Sequence, residues 1–219
     1  MKKIALVTIL LCVVQICLVF GQNGVIRELS GTVELKRAGQ TAFVPAKIGD
    51  AVARDTVVST GFKSTALIAI GSSVITVRPL TRLSLAEISS SAGTETINVS
   101  LQTGRVRVDV EPPAGTRTNM SVSGPSATAS VRGTSFDFDT REVRVVKGVV
   151  AFKGKKGGTK LIRAGSSSMI DQDGNTMDPL ETSAAELLPP FPAGGDSGVR
   201  HTADSSEQSM EFTITLTFD

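Results

Sequence analysis

Between Val25 and about Ile170 the chain alternates apolar and polar residues with a period of two. Thr32-Val33-Glu34-Leu35-Lys36, Thr81-Arg82-Leu83-Ser84-Leu85 and Ile97-Asn98-Val99-Ser100-Leu101 all have this form. So do Arg105-Val106-Arg107-Val108-Asp109-Val110, Ser135-Phe136-Asp137-Phe138-Asp139 and Val143-Arg144-Val145. Successive side chains of a strand point to opposite faces, so each segment predicts a strand with one face buried and one wet. Ala66-Leu67-Ile68-Ala69-Ile70 and Val149-Val150-Ala151-Phe152 have no polar face and are expected to be covered on both sides. Turn formers recur at Gly39, Gly49-Asp50, Gly61, Gly71-Ser72, Gly93, Pro112-Pro113 and Gly157-Gly158. No long helical period interrupts them. The pattern predicts an all-β fold of many short strands, either an irregular β-solenoid or roll, or a two-sheet sandwich.

A phrase of glycine, any residue, valine, any residue, apolar residue occurs three times, beginning at Gly31, Gly104 and Gly148. The intervals are unequal, so the chain is not a regular repeat array. Each glycine is expected to supply a tight turn or bulge before a new strand.

Both ends differ from the body. Lys2 and Lys3 precede an uncharged run from Ile4 to Phe20, and Val19 and Gly21 suit a cleavage site, so residues 1–21 read as an export signal. An uncleaved anchor and lipidation at Cys17 are the alternatives. All three place the body outside the cytoplasm, periplasmic or secreted. After a 25–170 domain, Ser183–Leu188 suggests a short helix, and residues 171–208 become a Pro-, Gly- and Ser-rich flexible linker. Residues 209–219 end the chain on a further, isolated strand in which Phe212, Ile214, Leu216 and Phe218 alternate with threonines. That strand suits three roles: folding back on its own domain, adding to the sheet edge of a partner, or acting as a barrel-targeting signal.

Composition removes several functions. The chain has 23 Lys+Arg and 21 Asp+Glu. Without Lys2 and Lys3 the body is formally neutral, a poor electrostatic match for nucleic acid. Both cysteines, Cys12 and Cys17, lie in the leader, so the body has neither a disulfide nor a Cys-based metal site. Trp and Tyr are absent and His201 is the single histidine. Asp137 and Asp139 share a strand face that Asp50 or Asp55 would have to approach for paired-carboxylate glycoside hydrolysis, but a solvated charged face with Arg132, Arg141 and Arg144 nearby explains them better. Asp171-x-Asp173-Gly174-Asn175 reads as an Asx turn rather than a calcium loop, because Thr182 stands where the terminal Glu belongs. Gly154–Lys160 reads as a basic hairpin tip with a weak claim on polyanions. No catalytic residue, cofactor or metal is expected.

Several phrases, in order, resemble the FecR domain of bacterial envelope proteins. They are Ile48-Gly49-Asp50, Thr60-Gly61, the segment Ser64 to Gly71-Ser72, Val77-Arg78-Pro79-Leu80-Thr81, and Leu101-Gln102-Thr103-Gly104. The most specific is Val131-Arg132-Gly133-Thr134-Ser135-Phe136, followed by Lys147-Gly148-Val149. The resemblance implies an all-β module in which Gly49, Asp50, Gly61, Gly71, Gly104, Arg132, Gly133, Thr134, Phe136 and Gly148 are structural motif positions. It also implies recognition, without chemistry, of another protein in the cell envelope. The family's regulators carry a cytoplasmic segment that contacts a sigma factor. This chain opens on its leader, and that signalling role is not expected of it. The alternative function is a ligand-sensing domain for a glycan or an iron chelate, signalling to a membrane partner.

Overall fold

The computed structural model describes residues 23–180. Residues 1–22 and 181–219 lie outside the described residues, and with them the expected leader, the 183–188 helix, the linker to residue 208, His201 and the terminal strand. The first strands are β1 (Gly24–Ser30), β2 (Val33–Lys36), β3 (Val44–Pro45), β4 (Ala51–Val52), β5 (Val57–Thr60) and β6 (Thr65–Ile70). Then come β7 (Ser73–Val77), β8 (Arg82–Ser91), β9 (Thr94–Thr103), β10 (Arg105–Val110), β11 (Arg117–Ser123) and β12 (Ala127–Arg132). The last are β13 (Ser135–Asp139), β14 (Glu142–Lys147), β15 (Val149–Gly154), β16 (Thr159–Arg163) and β17 (Ser167–Met169).

These strands make two sheets, and the fold is all-β, as the alternation predicts. The eight-stranded sheet has the order β17-β14-β13-β10-β7-β6-β1-β4, and the nine-stranded sheet β16-β15-β12-β11-β9-β8-β5-β2-β3. The chain passes repeatedly from one sheet to the other, so the fold combines the coil and the two-sheet alternatives. Pairing is antiparallel except between β9 and β11, which run parallel. One side of nearly every strand enters a single apolar cluster, in which Ile68, Ile75, Leu83, Leu85, Ile97, Val108, Phe136, Phe138 and Phe152 are fully buried. Phe138 of the eight-stranded sheet and Phe152 of the nine-stranded sheet meet edge to face, with ring centroids 6.3 Å apart at 77°.

The structure corrects one expectation. β6 alternates buried and half-buried residues, and in β15 Val150 and Phe152 are buried while Val149 is 40 % exposed. Neither strand is covered on both faces. Their outward residues Leu67, Ala69, Val149 and Ala151 are apolar, yet no third layer of described residues lies over them.

The three echoed glycines share one job, which is to let the chain change sheets within one or two residues. Gly31 (φ 74°), Gly104 (φ 89°) and Gly148 (φ 85°) lie between β1 and β2, β9 and β10, and β14 and β15, respectively. Each also packs against a hydroxyl-bearing residue: Ser64, Thr81 and Thr134. In the first two cases the residue after the glycine donates its N–H to that hydroxyl, Thr32 to Ser64 at 2.8 Å and Arg105 to Thr81 at 3.0 Å. Thr134 instead turns its methyl toward Gly148, and its buried hydroxyl has no hydrogen-bond partner. Thr81→Val is therefore expected to cost about 1–3 kcal/mol by orphaning the Arg105 N–H. Thr134→Val should be neutral or stabilising, because it removes an unsatisfied hydroxyl. Urea titration of the two variants compares them directly, and equal losses would count against this difference.

Candidate functional site

The outer face of β10, β13 and β14 is a lattice of opposite charges. Strand register places Arg105 opposite Asp139, Arg107 opposite Asp137, and Asp137 opposite Arg144. Asp137 is approached by Arg78 at 3.4 Å and Arg107 at 3.6 Å, and Arg107 also meets Asp109 at 3.2 Å. The Arg107 guanidinium is held above its ordinary pKa, first by its hydrogen bond to Asp109 and then by that carboxylate's charge. Partial burial opposes this shift, and Asp137 adds to it. Asp139 accepts from the backbone N–H groups of Arg141 and Glu142, both at 2.8 Å, and from Arg105 at 3.2 Å. It therefore closes the β13–β14 turn. Each ion pair is partly exposed and contributes on the order of 0–1 kcal/mol. Their main effect is to hold the face in register, with the carboxylates engaged by arginines and backbone.

Asp50 and Asp55 do not join this pair. Asp50 accepts from the Lys47 N–H at 2.8 Å and from Arg37 at 3.4 Å, closing the turn before β4. Asp55 sits at φ 61° beside Arg54. Each of these two carboxylates thus has a turn or an arginine of its own away from Asp137 and Asp139. Asp171 accepts from the Asn175 N–H at 2.8 Å, the Asx turn that the sequence suggests. That backbone bond is the main cause of a lowered Asp171 pKa; desolvation opposes it, and the Asn175 side chain and the Gly174 and Asp173 amides add smaller lowering effects. A folded-state value below the unfolded one stabilises the turn above the ordinary carboxylate range, and this contribution is lost as pH falls through the lowered value. Among the described residues no cluster of three or more His, Cys, Asp or Glu is arranged to hold a metal.

An open groove of about 920 Å³ runs beside the charge lattice, bordered by Arg78, Leu80, Gly104, Arg105, Asp139 and Arg144. One end is apolar. Leu80, in the β7–β8 connection, is 60 % exposed and adopts φ 56°, a left-handed conformation unfavourable for a branched residue. Its N–H donates to the Gly61 carbonyl at 3.1 Å, which brings it beside the turn carrying Phe62, 74 % exposed. Lys63 in that turn also has positive φ, 52°. The Thr60 hydroxyl joins the two turns, donating to the Arg78 carbonyl at 2.6 Å and accepting from the Thr81 N–H at 3.0 Å.

The other motif positions are framework. Gly133 turns the chain between sheets at φ 63°, and Phe136 fills the core. The Gly71 backbone lies against the Glu95 carboxylate, which accepts from Ser72 and Thr118, both at 3.3 Å. Arg132 is exposed on the nine-stranded sheet. The apolar tip escaped the sequence reading, because a Phe in a glycine turn and a Leu after proline look like ordinary core residues. The candidate strand residues Phe212, Ile214, Leu216 and Phe218 lie outside the described residues.

These features define a two-sheet β module with a charge-paired face and an apolar tip. The model of the FecR protein family matches residues 56–155, so this stretch of the chain is similar to that family. Among solved structures, two crystal structures of a candidate anti-sigma factor from Parabacteroides distasonis are similar to this chain. One is 15 % identical over 59 % of this chain and 64 % of its own, with a TM-score of 0.45. The other is 14 % identical over 58 % and 62 %, with a TM-score of 0.44. This chain thus spans under two thirds of those chains. No curated protein matches.

Proposed function

We propose that this protein is a non-enzymatic, extracytoplasmic interaction module of the bacterial envelope that binds another protein through its FecR domain. The observation that carries this reading is the tip made by Phe62 and Leu80. Two large apolar side chains stand in solvent on strained, glycine-anchored turns, one of them at the end of a groove lined by paired arginines and carboxylates. Backbone strain is retained where function requires it, and aromatic residues and arginines are the side chains that dominate protein interfaces. The partner then presents an apolar pocket toward Phe62 and Leu80. The leader at residues 1–21 supports placement outside the cytoplasm, and the engagement of Asp137 and Asp139 by arginines supports a role without catalysis.

The test is site-specific photo-cross-linking of the full chain in its own cell envelope. A photoreactive residue at position 62 or 80 should trap one partner band, and one at the exposed Ser90, eight residues along β8 from Arg82, should not. Leu80→Gly should raise the melting temperature by relieving the positive-φ strain, worth about 1–2 kcal/mol, while weakening capture. A partner trapped equally from all three positions, or Leu80→Gly with undiminished capture, would remove the tip from the interface. A sensor of a glycan or iron chelate would instead leave capture unaffected by Leu80→Gly.

A further inference from the structure

The two outer faces treat charge differently. The eight-stranded sheet neutralises its arginines with aspartates. On the nine-stranded sheet, β11, β12, β15 and β16 carry Arg117, Arg132, Lys153, Lys160 and Arg163 and no Asp or Glu. Lys160 pairs with Asp178 at 2.8 Å, whereas Arg132, Lys153 and Arg163 have no side-chain partner among the described residues. Register puts these three around a floor of small residues. Ser121, Ser130 and Ala151 lie side by side across β11, β12 and β15, and the exposed Leu161 ends the row on β16. Ser123, Thr128 and Lys153 form the parallel row on one side, and Asn119 and Arg132 lie on the other, with Arg163 opposite Val149 further along. Neighbouring strands are about 4.8 Å apart, so the rows offer regularly spaced hydroxyl and amide groups across the outer face. These hydroxyls bond only weakly to one another, Thr128 to Ser123 at 3.2 Å and Ser130 to Ser121 at 3.5 Å, leaving capacity directed outward.

We propose that this face binds a linear anionic glycan, laid across the strands, with its hydroxyls on the Ser/Thr/Asn rows and its acidic groups on Arg132, Arg163 and Lys153. Charge complementarity selects an anion. The choice of a glycan rests on hydrogen-bond chemistry, because Ser, Thr and Asn side chains both donate and accept, as sugar hydroxyls do. An acidic peptide would find the sheet's backbone groups in the middle of the face already used in strand pairing. An anionic membrane would use the cations and leave the hydroxyl floor without a role.

The test takes the full chain and four probes: polygalacturonate, neutral dextran, poly-L-glutamate, and phosphatidylcholine vesicles containing phosphatidylglycerol. Polygalacturonate should bind in preference to the other three, and high salt should abolish binding, as screening requires. Arg132→Gln and Arg163→Gln should each weaken it about tenfold, the loss of one charged hydrogen bond. Ser130→Leu, which fills the floor without changing charge, should weaken it comparably, and Arg132→Lys should retain part of it. Melting curves of the variants should match that of the parent. Equal binding of poly-L-glutamate with Ser130→Leu inert would reduce the face to a general polyanion patch. Preference for vesicles would assign it to lipid headgroups, and no binding of polygalacturonate would end the proposal.

Discussion

Phe138→Ala is expected to destabilise the domain by about 3–5 kcal/mol, the range for deleting a fully buried aromatic ring. Phe138 has no solvent exposure and meets Phe152 edge to face across the two sheets. The same ring also limits Gly124, where an added Cβ would stand 3.4 Å from its rim. The alanine variant therefore opens a cavity at a contact that joins the sheets, and rigid strands on both sides limit how far it can collapse. Guanidinium unfolding monitored by circular dichroism measures the change. The midpoint should drop with little change in slope, because the surface exposed on unfolding is nearly the same. Phe138→Leu should lose less. A cost near 1 kcal/mol for the alanine variant would mean that this pair does not hold the sheets together.

Gly104→Ala is expected to be comparably severe for a different reason. Gly104 sits at φ 89°, and a Cβ there would stand 2.5 Å from the Thr81 Cα, a backbone atom that cannot swing aside. The clash also strikes the Thr81 hydroxyl, which accepts from the Arg105 N–H and donates to the Arg105 carbonyl at 3.1 Å. Strain of about 1–3 kcal/mol and a similar overpacking cost are expected to combine. Gly39→Ala separates the two effects. It shares the positive φ, 75°, but nothing lies within 4 Å of the added carbon. Its cost should be limited to conformational strain, about 1–2 kcal/mol. Similar losses at both positions, read from the same unfolding curves, would dismiss the close approach at Thr81.

Strand-scale features were legible in the sequence because their cause is local. The pleat has a period of two, so Phe136 and Phe138 face the core while Asp137 and Asp139 face solvent, as their order along the chain predicts. Asp171 also closes its own turn with Asn175, four residues away, and that pattern too is short-range. The same reasoning failed for Leu67 and Val149, because an apolar residue does not reveal whether another layer will cover it. The candidate sites were less legible. Asp137 meets Arg78 from 59 residues away, and Asp139 meets Arg105 from 34. The hydroxyl rows draw single residues from several strands, one of which joins the sheet by a parallel pairing that no nearby turn announces.

The amino-acid sequence by itself determined that this is a chain of short strands, which side of each is buried, and where glycine must let the chain turn. Those properties follow from side-chain polarity, the period of the pleat and the steric freedom of one residue type. Only the tertiary structure decided which carboxylate meets which arginine, that Phe62 and Leu80 stand in solvent on adjoining turns, and that Arg132, Lys153 and Arg163 gather on neighbouring strands without a carboxylate among them. Those outcomes depend on register between strands distant along the chain, and register is set by packing the whole core at once.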